Sequence, residues 1–593
     1  MSFREHIQEK LEQFHHWRIG RIPDKQFIGI VAMLVGLGAG LAAVVLKNTV
    51  HFIRMFLVEG LIASYQPYLF FLFPIIGIAL TILFMRYFVG QKVKHGIPNI
   101  LYSIAQTEGK IEKHNMYSSI VTSALTVGFG GSVGLEGPTV ATGAAIGSNI
   151  GQAFRFNHKQ INLMIACACA GAIASIFKSP IAAIVFAVEV IMIDLTMASI
   201  IPLLIASVFG ALTSHLLLGA GYLYSFKLTE EFMMMDLPFY VVLGIVAGLI
   251  STYFTRIYIS TSALFKRISN AWVRLITGGL ILGGLIFLLP AFYGEGYEVV
   301  NSCLRGDFSY IFDSPVFRSY QQNVFVTLIL LGGIVLLKVF ATAATFGSGG
   351  VGGVFAPALF IGANLGILFS RSAQLLGFNI NASNFALVGM AGMMAGVLHA
   401  PLTAIFMIAE ITGGYSLFLP LMIVSTIAFI TTRYSVPHSI YTHQLAQRGQ
   451  LLTHDKDQNM LKMMNVADLI ESNFNIIHPE QSLGELVKVI ARSERNVFPV
   501  VDKQNNYLGI IFLNDVREII FQPEKYDAVF VKDLMFMPEE QVSPDDTMES
   551  VAKLFQESGN YNLPVIKNGK YLGFVSRANV FSAYRKLLKE FSE

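Results

Sequence analysis

The sequence predicts an α-helical membrane protein built on an internal duplication, followed by a smaller α+β part that is duplicated in its own right. Three observations carry this. Charged residues make up 14% of the 593 residues and hydrophobic ones 54%, where soluble domains average roughly 25% charged. The apolar excess lies between about residue 27 and residue 433, and the chain beyond about 450 is ordinarily charged. Glycine- and proline-rich segments recur at a nearly constant offset inside the apolar part.

Residues 1–26 read as a cytoplasmic N-terminal amphipathic segment, with Phe3, Ile7, Leu11 and Phe14 near helical spacing and no apolar start of the signal-peptide kind. Phe27–Val45, Leu69–Phe88, Phe239–Tyr258, Leu275–Phe292 and Val324–Phe340 are apolar runs, each long enough to cross roughly 30 Å of hydrocarbon. Cys167, Cys169 and Cys303 lack metal-ligand spacing and read as small core residues. No metal site is expected. A net charge of +3 without a basic cluster gives no reason to expect nucleic acid. There is no His-Glu-x-x-His and no P-loop, so an enzyme is not expected.

The most telling segment is Gly130-Gly-Ser-Val-Gly134-Leu135-Glu136-Gly137-Pro138. An acid at membrane depth marks a functional site by default. This one sits among glycines, where backbone amides approach a ligand closely. Pro138 belongs to the first turn of a following helix, whose free N–H groups and positive dipole end favour an anion. Glu136 therefore reads as a competitor for an anion site.

That segment has a partner. Pro138 and its flanking glycines align with Pro357 in Gly347-Ser-Gly-Gly-Val-Gly-Gly353-Val354-Phe355-Ala356-Pro357, 219 residues on. Ala170–Glu189, with Pro180, aligns with Ala391–Glu410, with Pro401, 221 residues on. Duplicated transporter halves are often inverted, with broken helices aimed at a midplane site. Glu189 and Glu410 end matching segments and suit helix caps or a subunit interface. Lys178 and Lys338 read as snorkelling or pairing cations.

With these motifs in hand, the chain resembles the CLC family of chloride channels and proton-coupled chloride exchangers. Gly134–Pro138 is similar to the family's gating-glutamate motif, Gly352–Pro357 to its second anion-cradling turn, Lys94-His95-Gly96-Ile97-Pro98 to its Gly-Ser-Gly-Ile-Pro turn, and Ser435–Tyr441 to the helix that brings a tyrosine hydroxyl to the central ion. The resemblance implies a CLC-type inverted repeat of many short and tilted helices over 27–445, in halves of about 27–220 and 236–445. It implies chloride cradled by His95, Gly96, Ile97, Gly134, Leu135, Gly137, Val354, Phe355, Ala356 and Tyr441, with Glu136 as the gate. Partial charges suit the task, since they strip water from an anion yet release it. Burial disfavours the charge of such a carboxylate while N–H donors favour it.

Several residues depart from the family pattern. Val190 stands where its exchangers carry a second acid on the intracellular proton route, which favours a channel over an exchanger; Asp194 is an alternative acid. His95 replaces the usual serine, which leaves chloride against nitrate open and adds a group that titrates near neutrality. Leu135 replaces a common basic residue. Pro138 departs from the fluoride-exporting branch, which has Asn there.

After a linker at 446–464, residues 465–593 repeat as about 465–522 and 530–590 in an α+β pattern. Val497-Phe-Pro…Tyr507-Leu-Gly recurs as Asn562-Leu-Pro…Tyr571-Leu-Gly, and the pair resembles tandem CBS domains. That resemblance implies a cytoplasmic module, with an adenine nucleotide as a candidate ligand at Asp515, Tyr561, Asn562, Leu563, Ser576 and Asn579. No cofactor is expected to be required. The expectation is a homodimeric, multi-pass chloride channel with one pore per subunit in the plasma (inner) membrane of a prokaryote, with the lipid bilayer and small anions as its partners. A proton-coupled chloride antiporter is the alternative.

Overall fold

The computed structural model describes residues 18, 21–57, 71–90, 96–192, 196–219, 232–314, 316–320, 323–413, 415–447, 461 and 464–592. His95, Asp194 and the N-terminal apolar positions lie outside them. The chain divides into two compact units, Met1–Leu451 and Leu452–Glu593. Among the described residues, eight helices are long and apolar enough to cross a membrane, as the composition predicts.

The first half of the membrane unit runs α1 Asp24–Met55, α2 Phe73–Phe84, α3 Ile97–Gln106, α4 Asn115–Gly128, α5 Glu136–Ala153, α6 His158–Phe177, α7 Pro180–Glu189 and α8 Met197–Leu218. The second repeats it as α9 Leu237–Lys266, α10 Ala271–Leu288, α11 Tyr297–Leu304, α12 Val324–Gly347, α13 Phe355–Leu375, α14 Ala382–Leu398, α15 Pro401–Ile411 and α16 Phe418–Ser435. The same neighbours pack in each half: α1 on α6 and α8, α9 on α14 and α16. Within the apolar run Leu69–Phe88 the described residues are helical from Phe73: α2 passes without a break into a π-helical turn at Met85–Val89, which ends at left-handed Gly90.

The duplication survives to single dihedrals. Asn157 caps α6 and Asn381 caps α14, each with its side chain on the N–H three residues ahead. Both helices end on a left-handed residue, Lys178 at φ 56° and His399 at φ 57°, and both chains restart at a proline in the first turn, where no N–H is needed.

Inversion is visible where the halves meet. Glu189, the last residue of α7, accepts hydrogen bonds from the Leu402 and Thr403 N–H groups at 3.2 and 2.8 Å in the first turn of α15. Glu410, near the end of α15, accepts from the Ile181 and Ala182 N–H groups at 3.2 and 2.8 Å in the first turn of α7. Each helix end supplies the anion that satisfies the other's orphan donors. Such a swap needs antiparallel helices, so the two glutamates are reciprocal caps.

The second unit holds two similar modules. In the first, a helix Leu483–Arg492 precedes the antiparallel hairpin β1 Val497–Val501 and β2 Tyr507–Phe512; in the second, a helix Met548–Ser558 precedes β3 Asn562–Lys567 and β4 Lys570–Ser576. The modules trade hairpin-turn contacts: Tyr507 N–H donates to Gly569 O at 2.9 Å and Tyr571 N–H to Asn505 O at 3.2 Å. Phe474 and Phe574, with ring centroids 4.6 Å apart, belong to their shared core.

Candidate functional site

The two glycine turns join face to face. Gly134 N–H donates to Gly353 O at 2.9 Å and Gly353 N–H donates to Gly134 O at 2.7 Å. Each turn is also held by a threonine of the other half: Ser132 N–H donates to Thr345 Oγ1 and Val351 N–H to Thr126 Oγ1, both at 3.1 Å. These reciprocal bonds aim the N-termini of α5 and α13 at one place.

Glu136, 1% exposed, lies there. Its carboxylate is folded back into the notch between the glycines. A Cβ on Gly134 would collide with Oε2, and one on Gly353 would come within 3.0 Å of it. The N–H groups of Glu136 itself and of Ala356 lie near the carboxylate, whose Oε2 is buried without a hydrogen-bond partner. Beside it is a cavity of about 320 Å3 lined by Gly96, Ile97, Gly137, Val354 and Tyr441 together with Gly352, Gly353 and Tyr258. The first turns of α3, α5 and α13 thus border one space. Tyr441 is close enough to Glu136 to interact with it electrostatically.

Of the residues singled out from sequence, these form one constellation. Phe355 packs against Phe177, with ring centroids 4.8 Å apart, in the wall behind the turn. Leu135 faces the other way, into a separate small cavity with Lys47, Thr139, Glu295 and Tyr297. Tyr441 sits in a turn ahead of the short helix His443–Gln447 rather than within a helix. Val190 is 5% exposed in the apolar core and caps α7 by its own N–H on Phe186 O. The cysteines are free and buried.

Two side chains at Glu136 were not singled out from sequence, and a third, Lys338, sits elsewhere than at an interface. Tyr297, at the start of α11, donates its hydroxyl to Glu136 Oε1 at 2.9 Å. Glu295, two residues earlier, interacts with the same hydroxyl, with the Leu135 N–H and with Lys47. Of the two readings the sequence left for Lys338, snorkelling or pairing, the structure shows pairing: it is fully buried, with Nζ donating to Ser132 Oγ at 2.8 Å and lying 4.4 Å from the Phe360 ring centroid. Thr342 on the next turn of α12 donates to Ser132 O at 3.0 Å. The letters Gly130-Gly-Ser132-Val-Gly134 match a hydrolase nucleophile turn, yet this serine is tied to Lys338 and to α12. It is scaffold for the glycine turn.

In the second unit, Ser576 Oγ donates to Glu471 Oε1 and accepts from the Asn579 N–H, while Asn579 Nδ2 donates to Leu469 O at 3.2 Å. Leu563 is buried in β3, and Asp515 and Tyr561 are exposed. A cleft of about 330 Å3 lies beside them, lined by Phe512, Phe536, Glu539, Glu540, Asn560 and Asn562 among others. Asn562 is the member of the sequence-predicted set that lines it.

The comparisons agree with this geometry. The family profile "Voltage gated chloride channel" matches residues 76–433 and the CBS domain profile matches 466–522 and 531–586. The voltage-gated ClC-type chloride channel ClcB of Citrobacter koseri is 33% identical over 347 residues, 58% of this chain and 78% of that protein. A slow cyanobacterial Cl−/H+ antiporter superposes with TM-score 0.61 at 25% identity, covering 71% of this chain and 97% of that one. A CLC-type fluoride/proton antiporter does so with TM-score 0.58 at 25% identity, over 70% and 97%. The glycine turns, the buried acid and these matches lead to one conclusion: the chain belongs to the voltage-gated chloride channel (CLC) family of chloride transporters and carries a tandem CBS pair after its membrane part.

Proposed function

We propose that chloride and the Glu136 carboxylate take turns in one site, and that this exchange of places drives coupled chloride–proton antiport through one pathway per subunit. The observation that carries the reading is the carboxylate in the notch between Gly134 and Gly353, against the N-termini of α5 and α13. An anion entering from the Tyr441 cavity meets the same donors. When Glu136 takes a proton its charge no longer competes and the side chain leaves the notch. One acid then alternates between a proton and a chloride vacancy. The likeness to Cl−/H+ and fluoride/proton antiporters at 25% identity supports this reading.

Val190 favours a second reading, a passive chloride channel with Glu136 as its gate, because a valine relays no proton on the inner route. The ClcB relatives, named as channels, support it too. Purified protein in liposomes under a chloride gradient, at several proton gradients, separates the two. Antiport moves the reversal potential with the proton gradient. A reversal potential that ignores the proton gradient leaves the channel.

The same reading includes a homodimer with cytoplasmic CBS domains. For the CBS pair we propose an adenine nucleotide with few phosphates. The cleft offers Phe512 and Phe536 for a base and Glu539 and Glu540 against a polyphosphate, with no Lys or Arg among its described lining residues.

A further inference from the structure

We propose that Glu295 is the proton donor and acceptor that serves Glu136, with the Tyr297 hydroxyl as the bridge between the two carboxyls. The inference rests on Glu136 as the gate but holds for an antiporter and an acid-gated channel alike.

The turn that carries Glu295 is shaped for this. Glu295 stands between two left-handed glycines, Gly294 at φ 66° and Gly296 at φ 81°, a conformation that glycine adopts without penalty. Gly294 N–H donates to Gly130 O at 3.3 Å, which docks the turn on the glycine turn that ends in Glu136. Tyr297 Oη then reaches Glu136 Oε1 at 2.9 Å from 161 residues away in the chain. The Glu295 carboxyl interacts with that same oxygen, and its Oε1 is buried without a hydrogen-bond partner. Two buried carboxyls that share one hydroxyl are the arrangement a proton relay needs.

The surroundings favour Glu295 as a proton station rather than a packing residue. Lys47 faces it from α1 and balances its charge when it is ionised; Lys178 lies near Lys47 at the end of α6. Glu136 faces it from α5, and Tyr293 and Tyr297 come from its own segment. The small cavity between Lys47, Leu135, Thr139 and Tyr297 has room for about one water molecule. Three residues on, Glu298 is exposed and paired with Arg54 at 2.8 Å, so the segment runs from the gate to the surface within one turn of helix.

The step balances within these three groups. The Glu295 O–H bond breaks as its proton passes to Tyr297 Oη, while the Tyr297 O–H bond breaks as that proton passes to Glu136 Oε1. Tyr297 ends neutral, Glu295 ends as a carboxylate beside Lys47, and Glu136 ends as the acid that leaves the notch. Glu295 recovers a proton from water.

The test is chloride efflux from liposomes holding the full-length protein, measured from neutral to acid pH. Glu295→Gln is expected to slow acid-stimulated efflux by about a hundredfold or more. Tyr297→Phe is expected to do the same, and the double variant to be no slower than either single, because both lie on one path. Efflux by Glu295→Gln that matches the wild type at every pH overturns the proposal, as do additive defects in the double variant. Folding is checked in a Glu136→Ala background, where the gate is gone: adding Glu295→Gln there should leave efflux high, and a loss of efflux there overturns a role confined to the proton. If Glu136→Gln alone keeps the wild-type acid response, the gate reading itself fails and this inference falls with it.

Discussion

Gly134 and Gly353 exchange two backbone hydrogen bonds, at 2.9 and 2.7 Å, and so lock the equivalent turns of the two halves together around the Glu136 carboxylate. The site is an intersection of repeats, and neither half holds it alone. A methyl group on Gly134 meets both Glu136 Oε2 and, at 2.9 Å, the Ala356 Cβ. Gly134→Ala is therefore expected to cost about 1–3 kcal/mol of stability and to push the carboxylate out of the notch. Efflux at neutral pH should rise relative to efflux at acid pH. Liposome efflux with a thermal melt in detergent reads both effects.

Glu189 and Glu410 are predicted to matter for stability and not for transport chemistry. Replacing either with Ala leaves the opposite helix start without its acceptor, a loss of about 0.5–2 kcal/mol. Thermal unfolding in detergent should show each variant melting below the wild type. The pH dependence of efflux should stay unchanged in both.

Lys338 places a buried amine donor behind the glycine turn, through Ser132 Oγ at 2.8 Å. Lys338→Met fills similar space, but removes the donor. Chloride binding should weaken by about two- to tenfold, since the turn loses a hydrogen bond worth about 0.5–1.5 kcal/mol. Calorimetric titration of the purified variant with chloride checks this, and unchanged affinity would leave Lys338 a packing residue.

For the CBS pair, titration of the full-length protein is expected to rank AMP above ATP. The Glu539 and Glu540 side chains at the cleft repel added phosphates. Tighter binding of ATP would point to a different pocket.

Much of this was legible in the sequence because it is local. The glycines, Glu136 and the first-turn prolines carry their conformational meaning at their own positions, and the offset between Pro138 and Pro357 exposes the repeat. What stayed hidden is what depends on distant pairing. Tyr297 reaches Glu136 from 161 residues away, and Lys338, though noticed as a cation, finds Ser132 from 206; nothing local names either partner. Glu295, in Gly294-Glu-Gly296, looks like an ordinary polar turn until Gly130 is seen against it.

The central claim is that one carboxylate and one chloride compete for the notch between Gly134 and Gly353. Chloride efflux from liposomes over a range of pH, for the wild type and Glu136→Gln, tests it most directly. Protonation removes the competing charge, so wild-type efflux should rise as pH falls. Glu136→Gln, which carries no charge at any pH, should conduct at a high rate that acid does not change. A Glu136→Gln variant that still opens with acid as the wild type does would contradict the account.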